Sequence, residues 1–254
     1  MPHTQSPIFP ERNVKVQSDD GDSLHFCSTC AFSQVCLSTG VNKRDLQEMH
    51  MLVEHVGPLH AGDYIFRAGA PFRAIAAVRG GMVKTCKTDL NGHEQVLGFH
   101  LPGEIIGLSG IHDERYPCDA IALDTVMLCQ FSFHKMALLA TRLPNLQYHL
   151  FRLMSRDIGA AWLFNGDHSA DERVAAFLLN LSQRLAERGF SAWHFQLSMS
   201  RTDIANYLQL VPETVSRVLH RLGQQGLVQI HRRDVTLLDL PRLQALADII
   251  LRDF

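Results

Sequence analysis

The absences narrow the possibilities first. No stretch of the 254 residues approaches the roughly 18 consecutive apolar positions of a membrane helix. Met1 to Asp20 also lacks the apolar core of a secretory signal. The protein is therefore expected in the cytoplasm, with no membrane partner. There is no Gly-x4-Gly-Lys-Ser/Thr loop to cradle phosphates and no Gly-x-Gly-x-x-Gly turn for a dinucleotide. Gly107-Leu-Ser-Gly lacks the Gly-x-Ser-x-Gly spacing of a hydrolase elbow. An electron carrier or oxidoreductase would have nowhere to hold a second partner, so no enzyme is expected. An excess of charge is missing too: 24 basic against 26 acidic residues leave −2, which supplies no whole-chain attraction to DNA.

Cysteine and glycine, by contrast, are present in patterns. With 46% hydrophobic content the chain has enough apolar surface for two ordinary cores, and two domains are expected. In a reducing compartment six cysteines argue for metal or redox chemistry rather than a disulfide scaffold. Cys27, Cys30 and Cys36 have the spacing Cys-x-x-Cys-x5-Cys, and Cys118 stands 82 residues beyond Cys36. Four thiolates suit a soft metal such as iron, zinc or copper(I). The spacing does not separate iron and sulfur from a structural zinc site or a thiol redox switch. Cys86 and Cys129 lie in strand-like runs and read as small core hydrophobes.

Along the chain the texture changes four times. Residues 1–45 form a polar tail that ends in the cysteine cluster. Residues 46–142, with short Val, Ile, Phe and Tyr runs broken by frequent glycines, read as an antiparallel barrel or jelly roll. In 143–168, Phe151, Met154, Ile158 and Ala161 recur at steps of three and four along one seam of a helix. That seam fits a two-helix coil or a helix packed on its own domain. Asn165-Gly166 reads as a helix stop, and Ser169 with Glu172 as the capping box of the next helix.

The strongest local signals lie in 169–246, ahead of a 247–254 tail. Ser200 can cap a helix from Arg201 to Leu208, Gln209 to Val211 make a turn, and Pro212 takes the first position of a second helix to about Gln224. A hairpin around His231 to Asp234 adds a wing. This is a winged helix-turn-helix, whose second helix enters the major groove of double-stranded DNA. Between Gln196 and Arg233 five arginines face Asp203 and Glu213, a local net of +3. Glu213, Ser216 and Arg217 stand on one side near that helix's start, placed to read base edges. Arg201, Thr202, His220, Arg221 and Gln224 suit phosphates. Val211 at the N-cap replaces a Ser or Thr worth about 1 kcal/mol.

Met199-Ser-Arg-Thr-Asp-Ile-Ala-Asn-Tyr-Leu, followed by Val211-Pro-Glu-Thr-Val-Ser-Arg-Val-Leu, resembles the Crp/Fnr superfamily of bacterial transcription regulators. The cysteine set with Gly98-Phe-His-Leu-Pro-Gly-Glu and Arg152-Leu-Met-Ser narrows the resemblance to the FNR branch, the oxygen-responsive fumarate and nitrate reduction regulators. The fold it implies is α+β: a β-roll sensor domain, a long dimerisation helix and a C-terminal winged helix-turn-helix. It implies one 4Fe-4S cluster per subunit on Cys27, Cys30, Cys36 and Cys118, converted by oxygen toward a 2Fe-2S form and then lost. The cluster-bearing homodimer would bind a TTGAT-type palindrome in control of the anaerobic response, with Glu213, Ser216 and Arg217 reading the half-sites. The loop holding Asp89, Asn91, Gly92 and Glu94 would touch RNA polymerase. A cyclic nucleotide, the superfamily's other ligand, is not expected, because Pro117-Cys118 falls where the phosphate-gripping arginine belongs. Between Arg152-Leu-Met-Ser and Ala170-Asp-Glu-Arg the chain is about three residues shorter than its relatives, roughly one helical turn.

Overall fold

A computed structural model of the chain describes residues 30, 36, 48, 49, 51–89, 91–162 and 167–251, the side chains of 160–162 aside. Cys27, the side chain of Ala161 and the Asn165-Gly166 stop lie outside the described residues. Eight strands make two antiparallel four-stranded sheets: β1 Val53–Leu59, β2 Tyr64–Phe66, β3 Ala74–Gly80, β4 Val83–Thr88, β5 Glu94–His100, β6 Ile105–Ile106, β7 Asp119–Ala122 and β8 Val126–Ser132. The strand orders are β1-β8-β3-β6 and β2-β7-β4-β5.

The inner strands show why this sequence makes a double sheet under a helical lid. Side chains alternate across a strand. On β3 and β8, Ala76, Val78, Val126 and Leu128 therefore enter one core with Ile65, Phe66, Tyr116 and Cys118. Their neighbours Ile75, Ala77 and Phe131 enter a second core with Met136, Leu139, Leu146, Leu150 and Leu153. Both faces are covered, so these strands lack the polar alternation of a solvent-facing sheet. The second core is closed by α1 (Phe133–Arg142), a helix that the reading of 46–142 as roll did not separate, and by the first half of α2 (Pro144–Trp162).

The other compact unit, from Met154 onward with Glu94–Leu97, holds the remaining helices. Helix α3 (Ala170–Ala186) begins at the Ser169 capping box, with Ser169 Oγ accepting from the Glu172 N–H at 3.3 Å and Glu172 returning to the Ser169 N–H at 2.8 Å. Helices α4 (Arg201–Tyr207) and α5 (Pro212–Gln224) follow, and α4 starts from a second capping box, Ser200 with Asp203. β9 (His194–Gln196), β10 (Val228–His231) and β11 (Asp234–Leu237) pair as β10-β11-β9, so the wing is a three-stranded sheet. A final helix, α6 (Leu240–Leu251), buries Leu243, Ala247 and Ile250, so packing continues into the segment read as a tail from 247. Among the described residues no helix is long and apolar enough to cross a membrane.

Val211 has extended backbone (φ −91°, ψ 150°), is 58% exposed and makes no side-chain cap hydrogen bond. Val211→Ser is expected to stabilise the winged domain by about 1 kcal/mol. That corresponds to a thermal midpoint roughly 4–8 °C higher for a domain of this size; an unchanged midpoint in calorimetry would show that the α5 N-terminus is already satisfied.

Candidate functional site

Helix α5 is held by one face. Val215, Val218, Leu219 and Leu222 are buried, and Pro212 sits at its start, where the missing N–H has no helical partner to lose. Away from them Glu213, Ser216 and Arg217 are exposed, as their spacing predicts. Arg217 Nη2 donates to Thr214 Oγ1 at 3.1 Å, three residues back, instead of forming an i, i+4 pair with Glu213. The guanidinium is thus steered along its own helix toward the end that a groove would admit.

A groove of about 510 Å³ runs between α5 and the wing, lined among others by Arg201, Ser216, His220, Gln224 and Ile230. Thr202, His220 and Gln224 are exposed. Arg201 is half-buried with Nη2 donating to the Arg232 carbonyl at 3.3 Å, and burial lowers its pKa from an ordinary value so high that it stays a cation. Arg221 differs from the other expected phosphate contacts: its guanidinium is engaged by both carboxylate oxygens of Asp171. Sequence reasoning did not find this partner, because the pair spans 50 residues and no local spacing signals it.

The helix seam is exposed as well. Phe151 is 59%, Met154 37% and Ile158 63% accessible, whereas Leu146, Leu150 and Leu153 on the other side of α2 are buried in the core beneath the sheet. Helix α2 thus packs on its own domain with one face and offers a second apolar face outward.

Cys118 is fixed by its neighbours. Tyr116, 1% exposed, donates its hydroxyl to the Ala74 carbonyl at 2.7 Å and stacks on Phe66 with ring centroids 4.0 Å apart. Asp119 Oδ1 accepts from the Ala68 N–H at 2.8 Å. The turn opposite depends on Gly107, whose φ of 95° side-chain-bearing residues rarely adopt and where a Cβ would come within 3.3 Å of the Ala74 carbonyl oxygen. Burial pushes the Cys118 thiol above its ordinary pKa, partly offset by a hydrogen bond with Ser109 and the charge of Lys87, while Asp119 adds to the rise. As a buried thiol it would need a metal to draw off its proton.

Cys36 is half-buried and packs against the core that holds Leu146, Leu150 and Leu153; Cys30 is half-buried too. Among the described residues no three His, Cys, Asp or Glu side chains come together as a metal site. Downstream of Cys36, Met49 is fully buried in the same core and Glu48 pairs with Arg142 of α1 at 2.7 Å. Cys86 is fully buried, as a core hydrophobe should be; Cys129 is half-buried with its sulfur 3.7 Å from His55 Nδ1.

Between β4 and β5, Asp89 builds a tight turn. Its Oδ1 accepts from the N–H groups of Asn91 and His93 at 2.8 and 2.9 Å, and Gly92 takes φ 83°. The His93 N–H is the main cause holding the Asp89 carboxyl below its ordinary pKa. Asn91 is exposed and Glu94 half-buried.

A winged helix-turn-helix whose second helix has an exposed face, joined in one chain to an antiparallel roll, defines a two-domain DNA-binding regulator. Residues 172–246 match the Crp-like helix-turn-helix domain, and residues 57–142 match the cyclic nucleotide-binding domain. The chain is 43% identical over 224 residues to "Transcriptional activator protein anr" of Pseudomonas aeruginosa, covering 87% of this chain and 92% of that protein. It is 35% identical over 243 residues to "Fumarate and nitrate reduction regulatory protein" of Escherichia coli (strain K12), covering 94% and 97%. FixK2 from Bradyrhizobium japonicum has a similar structure, with a TM-score of 0.70, 29% identity, and coverage of 76% of this chain and 96% of that one. A CRP-family transcriptional regulator from Thermus thermophilus shares the fold at a TM-score of 0.61 and 22% identity, covering 77% and 96%. The chain belongs to the FNR branch of the Crp/Fnr family; it is a transcription regulator and not an enzyme.

Proposed function

We propose that this regulator is an oxygen-responsive switch of the anaerobic response, cytoplasmic and homodimeric, that holds a TTGAT-type palindrome while a 4Fe-4S cluster is in place. The observation that carries the reading is the position of α2. Its inner face shares one core with Cys36 and Met49, and its outer face is an exposed apolar seam. A change at the cysteines would therefore be felt by the helix that pairs two subunits. Cys27, Cys30, Cys36 and Cys118 would hold the cluster; bound, it supplies an air-sensitive core that draws four thiolates together. The relatives named for fumarate and nitrate reduction, and for anr, support the same reading.

Dimerisation gives the switch its gain. Two recognition helices one DNA turn apart share the binding energy, so loss of pairing removes half of the base and phosphate contacts at once. A coupling of about 1–3 kcal/mol is enough to change affinity 5- to 150-fold. Glu213, Ser216 and Arg217 read bases; Arg201, Thr202, His220 and Gln224 hold phosphates. The Asp89–Glu94 turn, with Asp89, Asn91, Gly92 and Glu94, meets RNA polymerase. No cyclic nucleotide takes part: Pro117-Cys118 supplies no cation for its phosphate.

Anaerobic purification followed by visible spectroscopy, iron and acid-labile sulfide analysis, and operator binding before and after air exposure tests the reading. A brown protein that bleaches and leaves DNA together is expected; a colourless, air-indifferent protein that binds equally well would replace the cluster with zinc or bare thiols. Pairing is tested separately. Ile158→Glu puts a charge into the seam, and interface positions of this kind cost about 2 kcal/mol or more. Dimer affinity in sedimentation should weaken roughly 30-fold; a variant as dimeric as the parent would remove the seam from the interface.

A further inference from the structure

The segment that opens the winged domain is tied to the helix-turn-helix at two points. Asp171, in the first turn of α3, accepts from Arg221 Nε at 3.1 Å and from Nη2 at 2.5 Å on Oδ1, and again from Nη2 at 2.5 Å on Oδ2. Two residues on, Arg173 donates from Nε to the His168 carbonyl and from Nη1 to the Leu208 carbonyl, each at 3.1 Å. Leu208 is the C-cap of α4, where helical carbonyls lack partners of their own. Residues 168–173 thus grip the turn between the two helices with one arginine and the recognition helix itself with one carboxylate.

The direction of the second grip matters. A helix turns by about 100° per residue. With the buried Val215, Val218, Leu219 and Leu222 on one side of α5, Glu213 and Arg217 fall opposite and Ser216 on one flank. Arg221 lies about 40° further round from Arg217, on the flank toward the core. Apolar burial holds a helix down but is non-directional. A planar guanidinium fork on a carboxylate constrains orientation as well as distance. Placed on the flank, one turn beyond Arg217, it fixes how far α5 is rolled about its own axis, and so where the base-reading side chains point.

We propose that Asp171 and Arg221 form a clasp, steadied by Arg173, that sets the roll of the recognition helix, so that Arg221 is a positioning residue for sequence discrimination and not a phosphate contact. The proposal rests on the base-reading role of Glu213, Ser216 and Arg217. It revises the phosphate role expected of Arg221. The two roles differ in what they do to DNA that carries no operator: a phosphate contact serves every sequence alike, while a positioning contact serves only the sequence whose bases are being read.

The test uses the full chain, purified without air, with a palindromic and a scrambled duplex titrated over a series of salt concentrations, for the parent and for Arg217→Ala, Arg221→Ala, Asp171→Asn and the Asp171→Asn/Arg221→Ala double variant. For Arg221→Ala we expect palindrome affinity to fall about tenfold, part of what a misaligned bidentate base contact forfeits. Scrambled-duplex affinity and the slope of log K against log salt should stay as in the parent. Asp171→Asn should lose discrimination to the same degree, and the double variant should be no worse than either, as residues acting as one unit behave. Asp171 is an exposed-side partner replaced by its isostere, so this arm stands even if Arg221→Ala fails to fold. Equal weakening on both duplexes with a slope smaller by about 0.9 per site would make Arg221 a phosphate contact and overturn the clasp. So would an Asp171→Asn variant that discriminates like the parent. If the parent does not discriminate, or Arg217→Ala discriminates as well as the parent, the base-reading assignment fails and takes the clasp with it; loss in Arg217→Ala alone leaves base reading intact and the clasp refuted.

Discussion

Arg217→Ala is expected to erase the preference for the palindrome while leaving weak binding that vanishes as salt is raised. Arg217 is exposed near the start of α5, with its guanidinium steered by Thr214 Oγ1 at 3.1 Å. Arginine there can donate two parallel hydrogen bonds to guanine O6 and N7, a contact worth about 1–3 kcal/mol of discrimination. A dimer makes that contact twice, so the loss should be about 2–6 kcal/mol in operator preference. What remains is the counterion-release attraction of Arg201, Arg232, Arg233 and their neighbours for any duplex, which falls steeply between low and physiological salt. Competition of labelled operator with scrambled DNA measures the ratio directly. A ratio equal to the parent's would mean that another side chain reads the half-site.

Cys118→Ser should yield a folded protein that keeps no cluster and holds its operator no better than metal-free parent. The site is closely packed: Cys118 is 4% exposed, between Tyr116, pinned to Ala74, and Asp119, bound to the Ala68 N–H. Serine is nearly the same size and can keep company with the Ser109 hydroxyl, so the roll should survive. What serine lacks is a soft thiolate for iron. Operator affinity in the absence of air is expected to fall 5- to 150-fold, the span of typical coupling between a sensing and a binding site. Iron and sulfide analysis beside anisotropy titrations checks both halves. Full iron content in the variant would take Cys118 out of the ligand set, and equal affinity of loaded and stripped parent would break the link between cluster and DNA.

How much of this could be read from the chain differs by region, and the reason is range. Ser200 and Pro212 are local signals, so the helix-turn-helix and the hairpin of its wing appear where the spacing puts them, as does the Ser169 capping box; that Asp203 closes a second box at Ser200 is seen only in the fold. Phe151, Met154 and Ile158 mark an apolar face, but that Leu146, Leu150 and Leu153 on the other side anchor α2 to its own roll is tertiary information, so packing on its own domain holds for the inner face while the outer one is exposed. Helix α1 was hidden inside the roll because its apolar positions follow β8 without a break, and β9 because three residues are too few to show a period. The cysteines reveal their chemistry by type. Their gathering does not follow from spacing, and among the described residues Cys36 and Cys118 belong to different cores. Arg221 is the clearest case: its charge suggests a phosphate, and only the fold reveals its pairing with Asp171.

Helix α6 adds a practical point about the far end of the chain. Ala247 is fully buried and Ile250 is 2% exposed, and the helix lies along α3, whose Val174, Ala175 and Leu178 are themselves sealed from solvent. Residues Leu240–Leu251 are therefore a wall of the winged module. Expression designs that clip the chain after 246, or weld a bulky fusion onto Ile250, would strip or prise off that wall, whereas an attachment beyond Leu251 would spare it.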